Sequence, residues 1–368
     1  MVESLKSKRL NGIGEYYFSH KLRQIEELNA NGQNVLNLGI GSPDLAPPKS
    51  VQEALIKSFE ESDANKYQSY KGIPALREAF AKWYHRHFDV ELDADTEILP
   101  LIGSKEGIMH ICMSLLNEGD KVLAPNPGYP TYGAASKIAG AEVVYYSLEE
   151  DDEYCPDFEK LELEENIKLI WVNYPHMPTG AKGSEKLFER LLDFSRKKGI
   201  IVVNDNPYGF ILNNEQNSLL KNRLKSDLML ELNSLSKSHN MAGWRVGVVS
   251  GNEDLINTVL TFKSNMDSGQ FKPVMRAAIA ALSEPKEWYD QLNAIYSERK
   301  EEALKIVDLI DCKVTDHQVG MFVWARIPDS WDHAERFADH LLEKYRIFIP
   351  PGTVFGSEGK KYIRFSKR

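Results

Sequence analysis

The stretch LMLELNSLSKSHNMAGWRVGVVSG (228–251) decides the fold. Its two ends, LMLELNS (228–234) and RVGVVSG (245–251), are short apolar runs of the kind that form buried strands. Between them lies a polar turn in which Lys237 stands among serines, with Arg245 eight residues further on. A lone lysine is almost always a solvated surface charge. A lysine that attacks an aldehyde, however, must be partly desolvated and set beside cationic or hydroxyl groups that depress its basicity. Ser234, Ser236 and Arg245 supply such company and would equally suit a phosphate.

Working outward, the runs KVLAP (121–125), EVVYYSL (142–148), KLIWVNY (168–174) and IIVVND (200–205) repeat the strand pattern. Stretches of helical period separate them, such as Ser104–Asn117, Gly128–Ala139 and Gly183–Lys198. This alternation from about Val35 to Ser250 predicts an α/β fold with a mainly parallel sheet between helices. Chemistry in such sheets gathers at the carboxyl ends of strands. Asn173 to Gly180, Asp205 to Tyr208 and Ser234 to Lys237 fall there. After about Glu284 the pattern changes to a long charged helix (Lys286–Leu309), short strands at 313–315 and 321–325, another helix, then IFIPPG (347–352) and YIRFS (362–366). A large domain over 45–284 is expected, with a smaller α+β domain built from 1–44 and 285–368, and SPDLAPP (42–48) as the crossing point.

Composition narrows the function classes. The 368 residues, 27% charged and 42% hydrophobic, describe an ordinary globular chain with no stretch of membrane-spanning length. The N-terminal MVESLKSKRLNGIG (1–14) has no apolar segment or cleavage pattern, so a cytoplasmic location is the expectation. The balance of 45 basic and 54 acidic residues gives −9 without a basic block, which argues against nucleic acid. Cys112, Cys155 and Cys312 are far apart and lack metal-ligand spacing, so packing is expected of them and no metal site. The nearest histidine pair, His85 and His87, is expected on a solvated helix face.

The segment around Lys237 resembles the class I/II aminotransferases of the fold-type I pyridoxal-phosphate enzymes, whose signature is a serine, the Schiff-base lysine and a GxRxG segment. The resemblance runs from about Asn37 to Ser366 and implies a large domain with a mainly parallel seven-stranded sheet plus a smaller α+β domain. It places the lysine on Lys237, the phosphate-binding arginine on Arg245, and Ser234 and Ser236 beside it. NDNPYG (204–209) would alone be a turn. The resemblance makes Asp205 the partner of the cofactor's pyridine nitrogen and Tyr208 a donor to its phenolic oxygen. GSKEG (103–107) reads as a capped helix start and an anion site, with Ser104 and Lys105 as phosphate ligands by the resemblance. Tyr129 in NPGYPTY (126–132) takes the place of the residue that stacks on the ring.

Tyr67 in YQSYKGIPALR (67–77) matches a tyrosine that reaches a neighbouring subunit's cofactor, which implies a homodimer with shared sites. LGIGSPD (38–44) resembles the substrate loop, with Gly41 and Gly39 as candidates. Arg364 in YIRFS matches the arginine that grips the substrate α-carboxylate, in register with IPPGTVFG (349–356). Tyr16, Ile40 and Tyr70 are candidates for the mouth. Two departures stand out. NYPHMPTG (173–180) has Met177 where the family has an asparagine that donates to the cofactor, leaving Asn173, His176 or a water as replacements. Four residues follow Arg364, where relatives continue into a helix.

The expected activity is transfer of an amino group from an L-amino acid to a 2-oxo acid in two half-reactions, with Lys237 as the proton-moving base. The rival enzyme class is a carbon–sulfur β-lyase. A rival of another kind is a ligand-sensing aminotransferase-like regulator, which would need a DNA-binding segment beyond the roughly 35 residues before the substrate loop.

Overall fold

A computed structural model describes residues 5–367. The first four residues of the N-terminal stretch and Arg368, counted above with the smaller domain, lie outside the described residues. The strands run in chain order β1 (Leu36–Asn37), β2 (Ile98–Leu101), β3 (Lys121–Asn126), β4 (Glu142–Ser147), β5 (Ile167–Val172) and β6 (Ile201–Asp205). They continue with β7 (Met229–Ser234), β8 (Gly247–Gly251), β9 (Lys313–Val314), β10 (Phe322–Arg326), β11 (Ile347–Phe348) and β12 (Tyr362–Ser366).

Seven strands form one sheet in the order β2-β8-β7-β6-β5-β3-β4. Pairs from β4 through to β7 are parallel, and β8 runs antiparallel to both β7 and β2. Alternate side chains feed cores on the two faces. Leu169, Trp171, Val203 and Leu232 enter one, while Ile170, Val172, Val202 and Met229 enter the other. Burial on both faces is what continuous apolar runs such as LIWV (169–172) impose, as is usual for a mainly parallel sheet covered by helices on both sides.

The six strands read from the sequence are all present, with ends shifted by one or two residues. The seventh, β2, escaped sequence reading because it is four residues long and contains Pro100. Its position at the sheet's edge explains how a proline is tolerated. Helix Lys286–Leu309 has the expected bounds. Beyond it a three-stranded antiparallel sheet, β12-β10-β9, carries its own apolar cluster, and β1 pairs with β11 in parallel.

One expectation is corrected here. His85 is on the exposed face, but His87 turns inward, with its ring 5.6 Å from Trp83, 5.0 Å from Phe210 and 5.3 Å from Tyr289. Burial pushes its pKa down to about 4, so it is a neutral packing residue. Cys112 and Cys312 are buried and all three cysteines are free. No helix among the described residues is long and apolar enough to cross a membrane.

Candidate active site

The chain passes to one side of β3 to form β4 and returns on the other side to form β5, so β3 and β5 flank a topological switch point. Loops following β3, β5, β6 and β7 open a cleft there. Tyr129, Asn173, Asp205 with Tyr208, and Lys237 line it from those four loops. Ser104 and Lys105 enter from the start of helix Ser104–Leu115, Ile40 and Gly41 from the segment after β1, and Phe322 and Arg364 from the antiparallel sheet.

Lys237 lies in a single helical turn, Leu235–Ser238, started by Ser234 as the β7 strand ends. The Ser234 Oγ accepts from the Ser236 backbone N–H at 3.1 Å and donates to Ser236 Oγ at 2.8 Å. This fixes both hydroxyls beside the lysine. Lys237 Nζ donates to the Gly41 carbonyl at 2.6 Å. Burial, with Arg364 and Arg245 adding positive charge nearby, lowers its pKa to about 8. Gly41 has no room for a side chain, because a Cβ there would lie 2.3 Å from the Phe322 ring.

Arg245 has a left-handed backbone, φ 56°, and its Nη1 donates to the Ala242 carbonyl at 2.8 Å. Its other terminal nitrogen lies against Gly103, where a Cβ would sit 2.0 Å from Nη2. Gly103 also has φ 84°, so both sterics and backbone require glycine. The guanidinium is thereby brought to the N-terminus of helix Ser104–Leu115, where free backbone N–H groups and a hydroxyl make an anion cradle. Lys105 points its amine elsewhere, 4.3 Å above the ring of Tyr16.

Asp205 ends β6 and is 4% exposed. Its Oδ2 accepts from the Tyr132 hydroxyl at 2.8 Å, and its Oδ1 is buried with no partner. Burial pushes its pKa up to about 7, opposed by the Tyr132 hydrogen bond and assisted by the nearby Glu231 carboxyl. Tyr208 stands edge-on to Phe322, 5.7 Å between ring centres, with burial raising its phenol pKa. Asn173 spends its amide on the fold: Nδ2 donates to the Asp205 carbonyl and Oδ1 accepts from the Met177 N–H at 2.9 Å.

Arg364, on β12 opposite Trp324, is 5% exposed. Three rings enclose its guanidinium, Phe322 at 3.9 Å, Phe355 at 4.5 Å and Phe18 at 5.2 Å. Its Nη2 donates to the Gly39 carbonyl at 2.8 Å, its Nη1 faces the Met177 sulfur at 3.4 Å, and its Nε has no partner. Burial lowers its pKa to about 10, which still leaves it charged at neutral pH.

Of the predicted residues, Gly39 touches the site through its carbonyl alone, while Tyr67 is 90% exposed and lies outside the cleft of its own chain, as does Tyr70. His176 is no substitute at Met177, since its Nδ1 faces Thr179 Oγ1 at 2.8 Å and its ring is away from the cleft lining. Sequence reasoning missed Tyr132, Phe18 and Leu22, all of which line the cleft. Tyr132 had a faint signal: it lies one helical turn from Tyr129, and NPGYPTY was already marked. The structure also gathers Glu106, His110 and Asp267, whose ligand atoms lie within 4.8 Å of one another. That cluster holds its own cation, as Lys263 Nζ is 2.7 Å from Asp267 Oδ2.

The sequence matches the aminotransferase class I and II family over residues 33–367. An LL-diaminopimelate aminotransferase of Dehalococcoides mccartyi is 38% identical over 364 residues, covering 98% of this chain and 94% of the relative. One from Aquifex aeolicus is 36% identical over the same shares. Substrate-bound BacF of Bacillus subtilis superposes with a TM-score of 0.93 at 33% identity, over 98% of this chain and 93% of that one. A Thermus thermophilus aspartate aminotransferase mutant superposes at 0.91 with 23% identity, a likeness of fold alone. With its lysine, carboxylate and two arginines converging on one cleft of this fold, the chain belongs to the class I and II aminotransferases, pyridoxal-phosphate-dependent enzymes of fold type I.

Proposed function

We propose that the protein transfers the amino group of an L-amino acid carrying a second, distal carboxylate, with LL-diaminopimelate as the first candidate. The observation behind the choice of substrate is Lys105, an exposed cation at the cleft whose amine rests on Tyr16 with no carboxylate partner among the described residues. A distal carboxylate would complete it. The names of the relatives point the same way.

The residues present fit pyridoxal phosphate. The buried, unpartnered Asp205 Oδ1 offers an acceptor for a ring N–H, and the Gly103 and Arg245 cradle with Ser104, Ser234 and Ser236 suits a phosphate. Bound there, the cofactor supplies an aldehyde that condenses with amines and a ring that takes up negative charge developing at the substrate Cα. Lys237 would hold the cofactor's aldehyde and, when free, would be the base that carries the Cα proton. Its lowered basicity keeps a substantial fraction neutral near pH 8. Asp205 would hold the ring nitrogen in its protonated form, and Tyr208 would donate to the phenolic oxygen.

Arg364 takes the substrate α-carboxylate through its unpaired edge, with Gly39 and Gly41 shaping the approach. The rings of Phe18, Phe322 and Phe355 exclude water around that pair, which strengthens it. Tyr129, at the cleft wall, would cover the ring face. The exposure of Tyr67 in its own chain supports a homodimeric working unit in which this tyrosine would reach the cleft of a second copy.

The test is amino-group transfer from a panel of LL-diaminopimelate, glutamate, aspartate, phenylalanine and alanine, followed by absorbance between 300 and 500 nm. Rapid conversion of the bound cofactor by LL-diaminopimelate, slowed in Lys105→Ala, is the expected result. Equal rates with phenylalanine, unaffected by Lys105→Ala, would refute the distal carboxylate. Release of pyruvate and ammonia from a β-substituted amino acid, without net transfer, would establish the lyase chemistry instead.

A further inference from the structure

We infer that Tyr132 is a positioning residue which decides on which side of the Asp205–cofactor nitrogen pair the proton resides. This rests on the cofactor assignment above and concerns a residue that assignment does not use. Asp205 has two oxygens with different fates. Oδ2 is engaged by the Tyr132 hydroxyl at 2.8 Å, and Oδ1 alone is left to face a ring N–H.

In a buried site a carboxylate beside a pyridinium competes with its neutral tautomer, a carboxylic acid beside a neutral pyridine, because desolvation penalises both charges. A hydrogen bond donated to the carboxylate favours the ionised form. The groups facing Asp205 supply little else for that purpose. Tyr132 comes from the segment after β3, Tyr208 from the loop after β6, and Glu231 from the neighbouring strand β7. Glu231 works in the opposite direction, raising the Asp205 pKa. Its own carboxyl is fully engaged by Asn204, Ser218 and the Leu219 N–H at 2.8–3.0 Å. Asn173 reaches only the Asp205 backbone carbonyl.

The geometry of Tyr132 is itself over-determined. Its ring is fully buried in helix Pro130–Ile138 and stacks on Trp171 of β5, 5.1 Å between centres and 8° from parallel. The hydroxyl therefore has one direction in which to point. Loss of the hydroxyl leaves the stack and removes only the donor, so the proton moves from ring nitrogen towards carboxylate and the ring becomes a poorer acceptor of charge.

The experiment uses holoenzyme carrying cofactor labelled with 15N in the ring. Wild type is expected to give a protonated-pyridine 15N shift throughout pH 6–9. Tyr132→Phe is expected to move that shift towards neutral pyridine and to lower kcat about 10- to 100-fold, with KM much less affected. Trp171→Phe, which keeps the hydroxyl, should retain the wild-type shift and so separates the hydrogen bond from packing. In an Asp205→Asn background, Tyr132→Phe should change neither readout further. A Tyr132→Phe enzyme with the wild-type 15N shift and kcat, when Asp205→Asn loses both, would overturn the inference and leave the cofactor assignment standing. Wild-type protein that takes up no labelled cofactor would overturn that assignment itself.

Discussion

Lys263 and Lys237 are both lysines withdrawn from solvent, and their surroundings differ completely. Lys263 is 2% exposed and has Asp267 one helical turn away, Nζ to Oδ2 at 2.7 Å. Lys272 likewise meets Glu61 at 2.7 Å and Asp63 at 2.5 Å, and Arg77 meets Asp95 at 2.5 Å. In the cleft, Lys237 has a backbone carbonyl, Arg364 a carbonyl, a sulfur and three rings, and Asp205 a phenol. No ion pair among the described residues includes any of these three. A buried charge without an opposite charge is costly. The helical shell meets that cost with its own chain; the cleft leaves it to be met by whatever binds.

The sharpest way to break this comparison is to remove the cleft lysine. Lys237→Ala is expected to lower transfer on the order of 10⁴-fold and to abolish the absorbance band of the attached cofactor, with little loss of thermal stability. A spectrum and single-turnover rate check both. A large fall in Tm would instead place Lys237 with the structural lysines. Next in size is Arg364→Ala, expected to reduce kcat/KM about 10²- to 10³-fold by leaving the substrate α-carboxylate unpaired, while the cofactor spectrum stays unchanged. Steady-state kinetics against the panel of amino acids measures it.

The charges of the cleft were legible in the sequence because each sits in a compact motif, Asp205, Lys237 and Arg245 at or beside a strand end and Arg364 within β12. Tyr208 shares the motif of Asp205 and was legible with it. What escaped depends on contacts far apart along the chain. Phe18 meets Arg364 only because the N-terminal helix Tyr17–Ala30 lies against the antiparallel sheet, 346 residues away in sequence from the arginine it touches, and no local pattern encodes that. The Tyr132 hydroxyl bonds Asp205 across 73 residues. The substitution at Met177 was visible, but what the sulfur faces was not, and it faces Arg364. His87 was misjudged because its neighbour Phe210 arrives from another element.

Asp205 sharpens the comparison through pH. Its pKa rises from 3.8 to about 7 in the folded chain, so between those values the folded state binds the proton that the unfolded state has released. The contribution of Asp205 to the stability of the cofactor-free protein therefore falls as pH rises from about 4 to 7, and stays at that lower level above. Asp205→Asn removes the titration. The variant apoprotein is expected to gain Tm over wild type at pH 8 and to gain much less at pH 4, by scanning calorimetry. Adding pyridoxal phosphate should reverse the order at pH 8, since the cation it brings is the missing partner of the carboxylate.

The smallest effect on chemistry belongs to the shell. Lys263→Met leaves the partly buried Asp267 without its cation, a loss of roughly 3 kcal/mol for a broken pair withdrawn from solvent. Asp267 also accepts from the Gly269 N–H at 2.8 Å, and the adjacent Gln270 donates to the Arg245 carbonyl at 2.9 Å. A path thus runs from a structural ion pair to the arginine of the anion cradle. If the two kinds of buried charge are separate, the loop keeps its shape through the Gly269 bond, so Tm falls while cofactor affinity stays within about twofold of wild type. If affinity for pyridoxal phosphate falls in proportion to stability, the Lys263–Asp267 pair is part of the cradle's support, and the boundary between shell and cleft lies beyond Gln270.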